Sequence, residues 1–258
     1  YEIARDLVRN IGQRDPLVGL TVKKSTIVRA TTDDTAKRLY KIGASDVEIV
    51  PEVGLLNEEI ETLKSCELPV SEPVRFISMG RLLHWKGFHL GIRGFAKANL
   101  SNAEYWVIGD GPELANLKRI AQSYGVEKQV KFWGRLPREE TLDKLAESHV
   151  LVHPSLHDSG GWVCIEAMAS GRPVICLDLG GPSIQVTDKT GFKVQAHNPE
   201  QATEDIAKAM VNLAGNSQLR VSMGRSGQQL VDENYSWDVI GKRLNSIYQT
   251  LAHSKVAV

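Results

Sequence analysis

From residue 74 onward, short apolar runs alternate with longer stretches of helical spacing. The runs are VRFISMG (74–80), EYWVIGDG (104–111), VKFWG (130–134), VLVHPS (150–155), RPVICLD (172–178) and GFKV (191–194). They are rich in β-branched and aromatic residues and most end in Gly, Pro, Ser or Asp, which predicts strands. Helical patterns fall between and after them, over roughly 87–99, 113–124, 138–147, 162–170, 200–214 and 216–231. Such alternation predicts βαβ units with right-handed crossovers, hence an α/β, Rossmann-like parallel sheet with helices on both faces.

Residues 1–66 have a different texture. TIVRATT (26–32) and VEIVPEVG (47–54) are possible strands around a short helix, DDTAKRLYKIG (33–43), with Gly43 as its stop. They are expected to be the last pieces of a preceding α/β unit. SCELPVSEP (65–73) has the Pro and Ser content of a linker. SWDVIGKRLNSIYQTL (236–251) predicts an amphipathic helix with Ser236 as N-cap and Trp237, Ile240, Leu244, Ile247 and Leu251 on one face. The tail HSKVAV is expected to fray. The expected divisions are therefore 1–66, 67–235 and 236–258.

Composition narrows the class. Apolar residues are 42% of the 258 positions and charged residues 24%, a globular composition with room for one large or two ordinary domains. The formal net charge is +0, with no long run of either sign, which argues against a dedicated nucleic-acid binder. Cys66, Cys164 and Cys176 are odd in number and form no CxxC pair, so neither a disulfide framework nor a structural zinc site is expected, and a reducing compartment fits. No apolar segment approaches the about 18 residues of a membrane span. YEIARDLVRN lacks an apolar signal core and an initiating Met, so the chain is expected to begin inside a longer protein.

Ligands of open parallel sheets bind at the carboxyl ends of strands, and candidate chemistry follows the strands here. GRLLHWKG (80–87) places Arg81 and Lys86 in one loop between Gly80 and Gly87. An Arg fork and a Lys point charge suit a diphosphate, and an ordinary solvated basic loop has the same residues. GDGP (109–112) suits a tight strand-to-helix turn. WGRLP (133–137) either presents backbone groups to a nucleobase edge or only turns the chain.

PSLHDSGGWVCIEAMASG (154–171) sets Asp158 on a loop and Glu166 in a helix beginning near Gly161 or Trp162. The helix start offers free N–H groups to phosphate or sugar oxygens. Gly160 and Gly161 allow a ligand to approach the backbone, and Glu166 leans back toward the same space. Two carboxylates around N–H donors suit an array of sugar hydroxyls. The plainer alternative makes Asp158 a loop or capping acid and Glu166 a dipole-favoured helix residue. A hydrolase based on Ser155 or Ser159 with His153 or His157 lacks the GxSxG elbow, and Pro154 argues against both histidines sharing one metal-binding helical turn. His153 is expected to be a packed strand-end residue. LGGPS (179–183) is a second glycine pair, exposing N–H groups or simply turning the chain. No GxGxxG, Walker loop or Asp-x-Asp is present.

In their order, GRLLHWKG, GDGP, FWGRLP, PSLHDSGGWVCIEAMASGRPV, DLGGP and KTGFKV resemble the C-terminal half of retaining GT-B-fold glycosyltransferases, specifically glycosyltransferase family 4. The resemblance covers about 70–251, and the closing helix is similar to the family's crossover helix. It implies that Gly80, Arg81 and Lys86 meet the donor diphosphate. Gly134, Arg135 and Leu136 would lie against the nucleobase, Glu166 would bind the ribose hydroxyls, and Gly161, Trp162 and Val163 would offer backbone to sugar and phosphate. Asp158 stands where the family usually has a glutamate contacting the donor sugar, one methylene shorter. The family's acidic position after GGP is Ile184 here, or is displaced to Gln185.

The implied reaction transfers a hexosyl-type sugar from a UDP-, GDP- or ADP-sugar to an acceptor hydroxyl with retention. Arg81, Lys86 and Asp158 are the catalytic candidates, with no metal or other cofactor. The acceptor, a glycan or lipid-linked sugar, would be met mainly by the preceding domain, without which this chain is expected to be inactive. The implied setting is cytoplasmic polysaccharide or glycoconjugate synthesis, with peripheral attachment to the inner membrane face left open. The alternatives are another GT-B enzyme, such as a sugar-nucleotide epimerase or a phosphorylase, and a non-catalytic nucleotide-sugar-binding module.

Overall fold

Six strands form one parallel sheet: β3 (Val74–Met79), β4 (Ala103–Ile108), β5 (Val130–Gly134), β6 (Val150–His153), β7 (Val174–Leu177) and β8 (Gly191–Val194). Their spatial order is β5-β4-β3-β6-β7-β8. The computed structural model describes residues 11–254 apart from positions 13, 51, 70 and 71. YEIARDLVRN and the last four residues of the HSKVAV tail lie outside the described residues.

The sequence dictates which strands are central. Every residue of β6 and β7 is buried, as expected for strands covered on both faces. The outermost strands relax this pattern: Lys131 and Trp133 of β5 are exposed, and Lys193 of β8 is exposed. Successive side chains point to opposite faces, so Phe76 and Ile77 enter different cores. Phe76 joins Leu82, Phe95, Tyr105, Val152 and Ile206. Ile77 joins Ile60, Trp106, Leu151, Ile165 and Val231. The first core packs beneath α4 (Phe88–Ala98), α5 (Leu114–Ser123) and α9 (Pro199–Gly215). The second packs beneath α3 (Asn57–Lys64), α6 (Arg138–Glu147), α7 (Trp162–Ala169) and α10 (Ser217–Asn234).

The chain divides into two compact units, 1–52 and 53–258. The smaller contains α1 (Pro16–Lys24), β1 (Val28–Ala30), α2 (Asp33–Lys41) and β2 (Val47–Ile49), with β1 and β2 parallel. Thr32 caps α2 by accepting from the Thr35 N–H at 3.2 Å. Residues 53–66, grouped by sequence with the first segment, are part of the larger unit. Their helix α3 buries Ile60 and Leu63 in the second core, and the Leu55 N–H donates to the Tyr235 carbonyl at 2.8 Å.

Of two further local readings, one left open is resolved and one holds except for the exposure of Trp237. LGGPS does not end as a turn but opens α8 (Gly180–Gln185), whose Gly181 N–H donates to the Asp158 carbonyl at 2.8 Å. The closing helix α11 (Trp237–Ser254) begins at Ser236, whose hydroxyl accepts from the Val239 N–H at 3.1 Å. Of its apolar stripe Ile240 is buried, Leu244, Ile247 and Leu251 are half-buried, and Trp237 is exposed.

Candidate functional site

The sheet order reverses between β3 and β6, because the chain runs outward through β4 and β5 and then returns beside β3. Brackets of this kind leave a crevice at the carboxyl ends of the two strands. The β3 loop (80–87) and the β6 loop (154–161) meet there. The Leu156 N–H donates to the Trp85 carbonyl at 2.8 Å. Gly87 has φ +69°, and a Cβ on it would collide with the Pro154 carbonyl, so only glycine permits this approach.

Lys86 and Asp158 are joined at this meeting point. Lys86 Nζ donates to Asp158 Oδ2 at 2.6 Å. His153 closes β6 almost fully buried, and its Nε2 lies 3.0 Å from the same oxygen. Asp158 Oδ1 accepts from the N–H groups of Gly160 at 3.1 Å and Gly161 at 3.0 Å. A carboxylate offers about four acceptor sites, and all four are used. Burial works to raise the Asp158 carboxyl, but the bonds from His153, Lys86 and the Gly161 N–H outweigh it and hold it well below the ordinary range. Lys86 has two more N–H donors to offer.

Gly161 is the N-cap of α7 with φ +60°, and a Cβ there would collide with the Gln185 side chain. The first-turn N–H groups of Trp162 and Val163 have no intrahelical acceptor. Trp162 is exposed, Val163 half-buried.

Glu166, one turn further on, has a separate set of partners. Its side chain is only 6% exposed, and Oε1 accepts from Arg138 Nη1 at 2.6 Å. Arg138 Nη2 also donates to Glu59 Oε1 at 2.8 Å. Burial pushes the Glu166 carboxyl up, Arg138 pulls it down, and the net direction is upward. The two acids of 154–171 therefore do not bracket one shared array of hydroxyl partners; each is held by its own cations.

Two adjoining clefts complete the crevice. One, of about 470 Å³, has Met79, Ile108, Leu136, Leu142 and Val163 as apolar walls with Glu166 and Arg138 as polar groups. The other, of about 580 Å³, is lined by Arg81, Asp110 and Arg135 among glycines. Gly80, Gly109 and Arg135 border both. Arg81 is exposed and, among the described residues, makes no ion pair. Gly134 contributes its carbonyl to the Gly109 N–H at 2.8 Å, which fixes the turn carrying Arg135 and Leu136. Lys86, Asp158 and Gly161 belong to the loop junction rather than to the walls of either cleft.

Arg138 and Glu59 escaped the sequence reading; His153 is the packed strand-end residue expected, but its contact with Asp158 was not foreseen. Arg138 stands at the first position of α6, where the helix dipole disfavours a cation. That mismatch was the available signal. His153 had one too, as the polar end of an otherwise apolar buried strand. Glu59 had none, because its partner lies 79 positions away.

A doubly wound parallel sheet with its crevice at the switch point is the C-terminal domain architecture of GT-B glycosyltransferases, and solved structures of that class align with it. A glycosyltransferase from Rickettsia africae gives a TM-score of 0.72 at 19% identity, covering 92% of this chain and 67% of that one. Anabaena Alr3699/HepE in complex with UDP gives 0.72 at 19% identity, covering 90% and 66%. At these identities the likeness concerns the fold.

The chain belongs to the glycosyl transferases group 1 family, which it matches over residues 60–230. Among curated proteins it is 30% identical over 156 residues to the GDP-mannose-dependent monoacylated alpha-(1-6)-phosphatidylinositol monomannoside mannosyltransferase of Corynebacterium glutamicum, covering 58% of this chain and 39% of that protein. It is 31% identical over 175 residues to the lipopolysaccharide core biosynthesis glycosyltransferase LpsE of Rhizobium meliloti, covering 67% and 49%. The chain thus spans less than half the length of these two relatives. Among the described residues no helix is long and apolar enough to cross a membrane.

Proposed function

We propose that this chain carries the donor-binding half of a retaining glycosyltransferase that moves a sugar from a nucleotide diphosphate sugar to an acceptor hydroxyl. One observation carries the reading: an apolar cleft lined by a buried carboxylate shares Gly80, Gly109 and Arg135 with a cleft lined by two arginines. A nucleoside has an apolar base and a vicinal diol, and a diphosphate follows it. The walls of the two clefts supply complementary groups in that order.

Leu136 and the turn at Gly134 and Arg135 lie against the base, and Glu166 accepts from the ribose hydroxyls. Arg81, Arg135 and Lys86, with the free N–H groups of Trp162 and Val163, stabilise the diphosphate. Charge grows on that diphosphate as the sugar leaves, so donors fixed in advance lower the barrier. No metal is needed when side-chain cations and helix N–H groups meet that charge. Asp158 acts by positioning: with its acceptor sites filled, it fixes Lys86 and the start of α7 rather than gripping sugar hydroxyls. The names of the two curated relatives support sugar transfer, and the UDP complex of Alr3699/HepE supports a nucleotide ligand. The acceptor, a glycan or lipid-linked sugar, falls outside this sheet. A cytoplasmic site of action fits free thiols at Cys66, Cys164 and Cys176.

The test is calorimetric titration with UDP, GDP and ADP. One of them should bind, and Arg81→Ala should weaken it by about tenfold, the value of one charge-assisted contact. Failure of all three to bind would remove the reading. Incubating the matching labelled donor alone with a protein that carries both halves separates a transferase from an epimerase, which needs no acceptor.

A further inference from the structure

Arg138 is an exposed residue held in one place by two acids. Its own side chain is 52% exposed, so packing does not fix it. Glu59 does. Glu59 Oε2 accepts from the Leu56 N–H at 3.0 Å at the start of α3, the glutamate half of a capping box with no side-chain bond from the leucine N-cap. That bond pins the Glu59 side chain and leaves Oε1 to hold Arg138 Nη2. The other arm of the guanidinium, Nη1, reaches Glu166 Oε1. Among the described residues Glu166 Oε2 has no protein hydrogen bond, and Glu166 lines the apolar cleft. A nearly buried carboxylate with one oxygen tied and the other free is oriented before any ligand arrives.

We propose that Arg138, pinned by Glu59, is a positioning residue of the nucleoside cleft: it ties Glu166 through Oε1 and leaves Oε2 to accept from the vicinal hydroxyls of a bound nucleoside. This rests on the reading that the cleft takes a nucleoside diphosphate. The charge balance follows from the same geometry. The charged and titratable groups facing Glu166 are Arg138 from α6, Glu59 from α3 and the buried Cys164 thiol on α7 itself. Arg138 alone opposes burial; Glu59 adds to its effect. Removing Arg138 leaves Glu166 protonated to a higher pH, and a protonated carboxyl is a poorer acceptor for a diol. Nucleoside binding then weakens as pH falls and recovers as it rises.

The experiment is calorimetry on the full chain, using whichever of UDP, GDP or ADP binds and pyrophosphate as a ribose-free probe, between pH 6 and 9. Arg138→Met should weaken the nucleoside diphosphate about tenfold at the acid end and recover toward wild type at the alkaline end. Pyrophosphate affinity should be unchanged throughout. Arg138→Lys should restore part of the affinity, and Glu59→Gln should give a smaller loss of the same form. An equal loss at every pH, or an equal loss of pyrophosphate, overturns the positioning role. Glu166→Gln is the control for the underlying reading. If it leaves nucleoside diphosphate affinity intact, the ribose assignment fails whatever Arg138 does. If it weakens binding while Arg138→Met stays independent of pH, only the Arg138 proposal fails.

Discussion

Asp158 and Glu166 lie eight positions apart around one helix start, yet they occupy opposite electrostatic environments. Asp158 sits where two loops meet and collects two side-chain donors and two backbone N–H groups. Glu166 sits deeper, with one cation on one oxygen. The first carboxyl is held down and the second pushed up. Distance into the protein does not explain this alone; the count of donors does. A filled carboxylate serves the frame, and a half-filled one keeps an acceptor for a ligand.

The largest effect should come from emptying the filled acid. Asp158→Ala leaves Lys86 and His153 without their shared partner and two N–H groups unmet. It should cost about 3 kcal/mol, the low end for breaking a buried charge pair, read by urea denaturation. Glu166→Gln should reverse the pattern. Folding stability should move by no more than about 1 kcal/mol, because the neutral side chain is cheaper to bury and Arg138 keeps Glu59. Nucleoside diphosphate affinity should instead fall about tenfold. A large stability loss here with unchanged affinity would make the two acids alike.

Next in size is His153→Leu, which removes one of four bonds to Asp158 and should cost about 1.5 kcal/mol, the value of a hydrogen bond to a charged group. The smallest and most diagnostic effect is in acid. Asp158 is depressed, so its native form binds fewer protons than the unfolded chain just below the ordinary value of 3.8. Its contribution is present above that value and fades as pH falls through the lower folded value. Glu166 is raised, so its native form binds more protons just above 4.5, and stability falls as pH rises through that interval. Denaturation from pH 3 to 7 should therefore separate both variants from wild type as pH rises, in opposite directions: Asp158→Asn loses stability relative to wild type and Glu166→Gln gains it.

The frame of this contrast was legible in the sequence. Apolar runs marked β3 through β8 because central parallel strands must be apolar on both faces, and Gly and Pro marked their ends. The loops carrying Arg81, Lys86 and Asp158, and the helix carrying Glu166, followed from that order. What was hidden is pairing across sequence: Lys86 with Asp158, 72 positions apart, and Arg138 with Glu59, 79 apart. Helix α3 was missed because eight polar-rich residues beside a Pro–Ser stretch gave little apolar periodicity. Helix α8 was missed because Gly-Gly-Pro signals a turn, and only packing of Gly181 on the Asp158 carbonyl makes it begin a helix.

At the opposite end of the sheet lies Arg172, fully buried and, among the described residues, without an acidic partner. Its guanidinium donates to the carbonyls of Cys66, Glu67, Ala146, Ser148 and Ser170. Burial lowers it to about 10, so it stays charged throughout the neutral and acid range, and its acceptors do not titrate. This rear seam is therefore indifferent to protons, whereas the loop junction at the front depends on the Asp158 carboxylate. On acidification the molecule should come apart in a set order, with amide exchange quickening first around residues 156–161 while the seam beneath β6 and β7 stays protected.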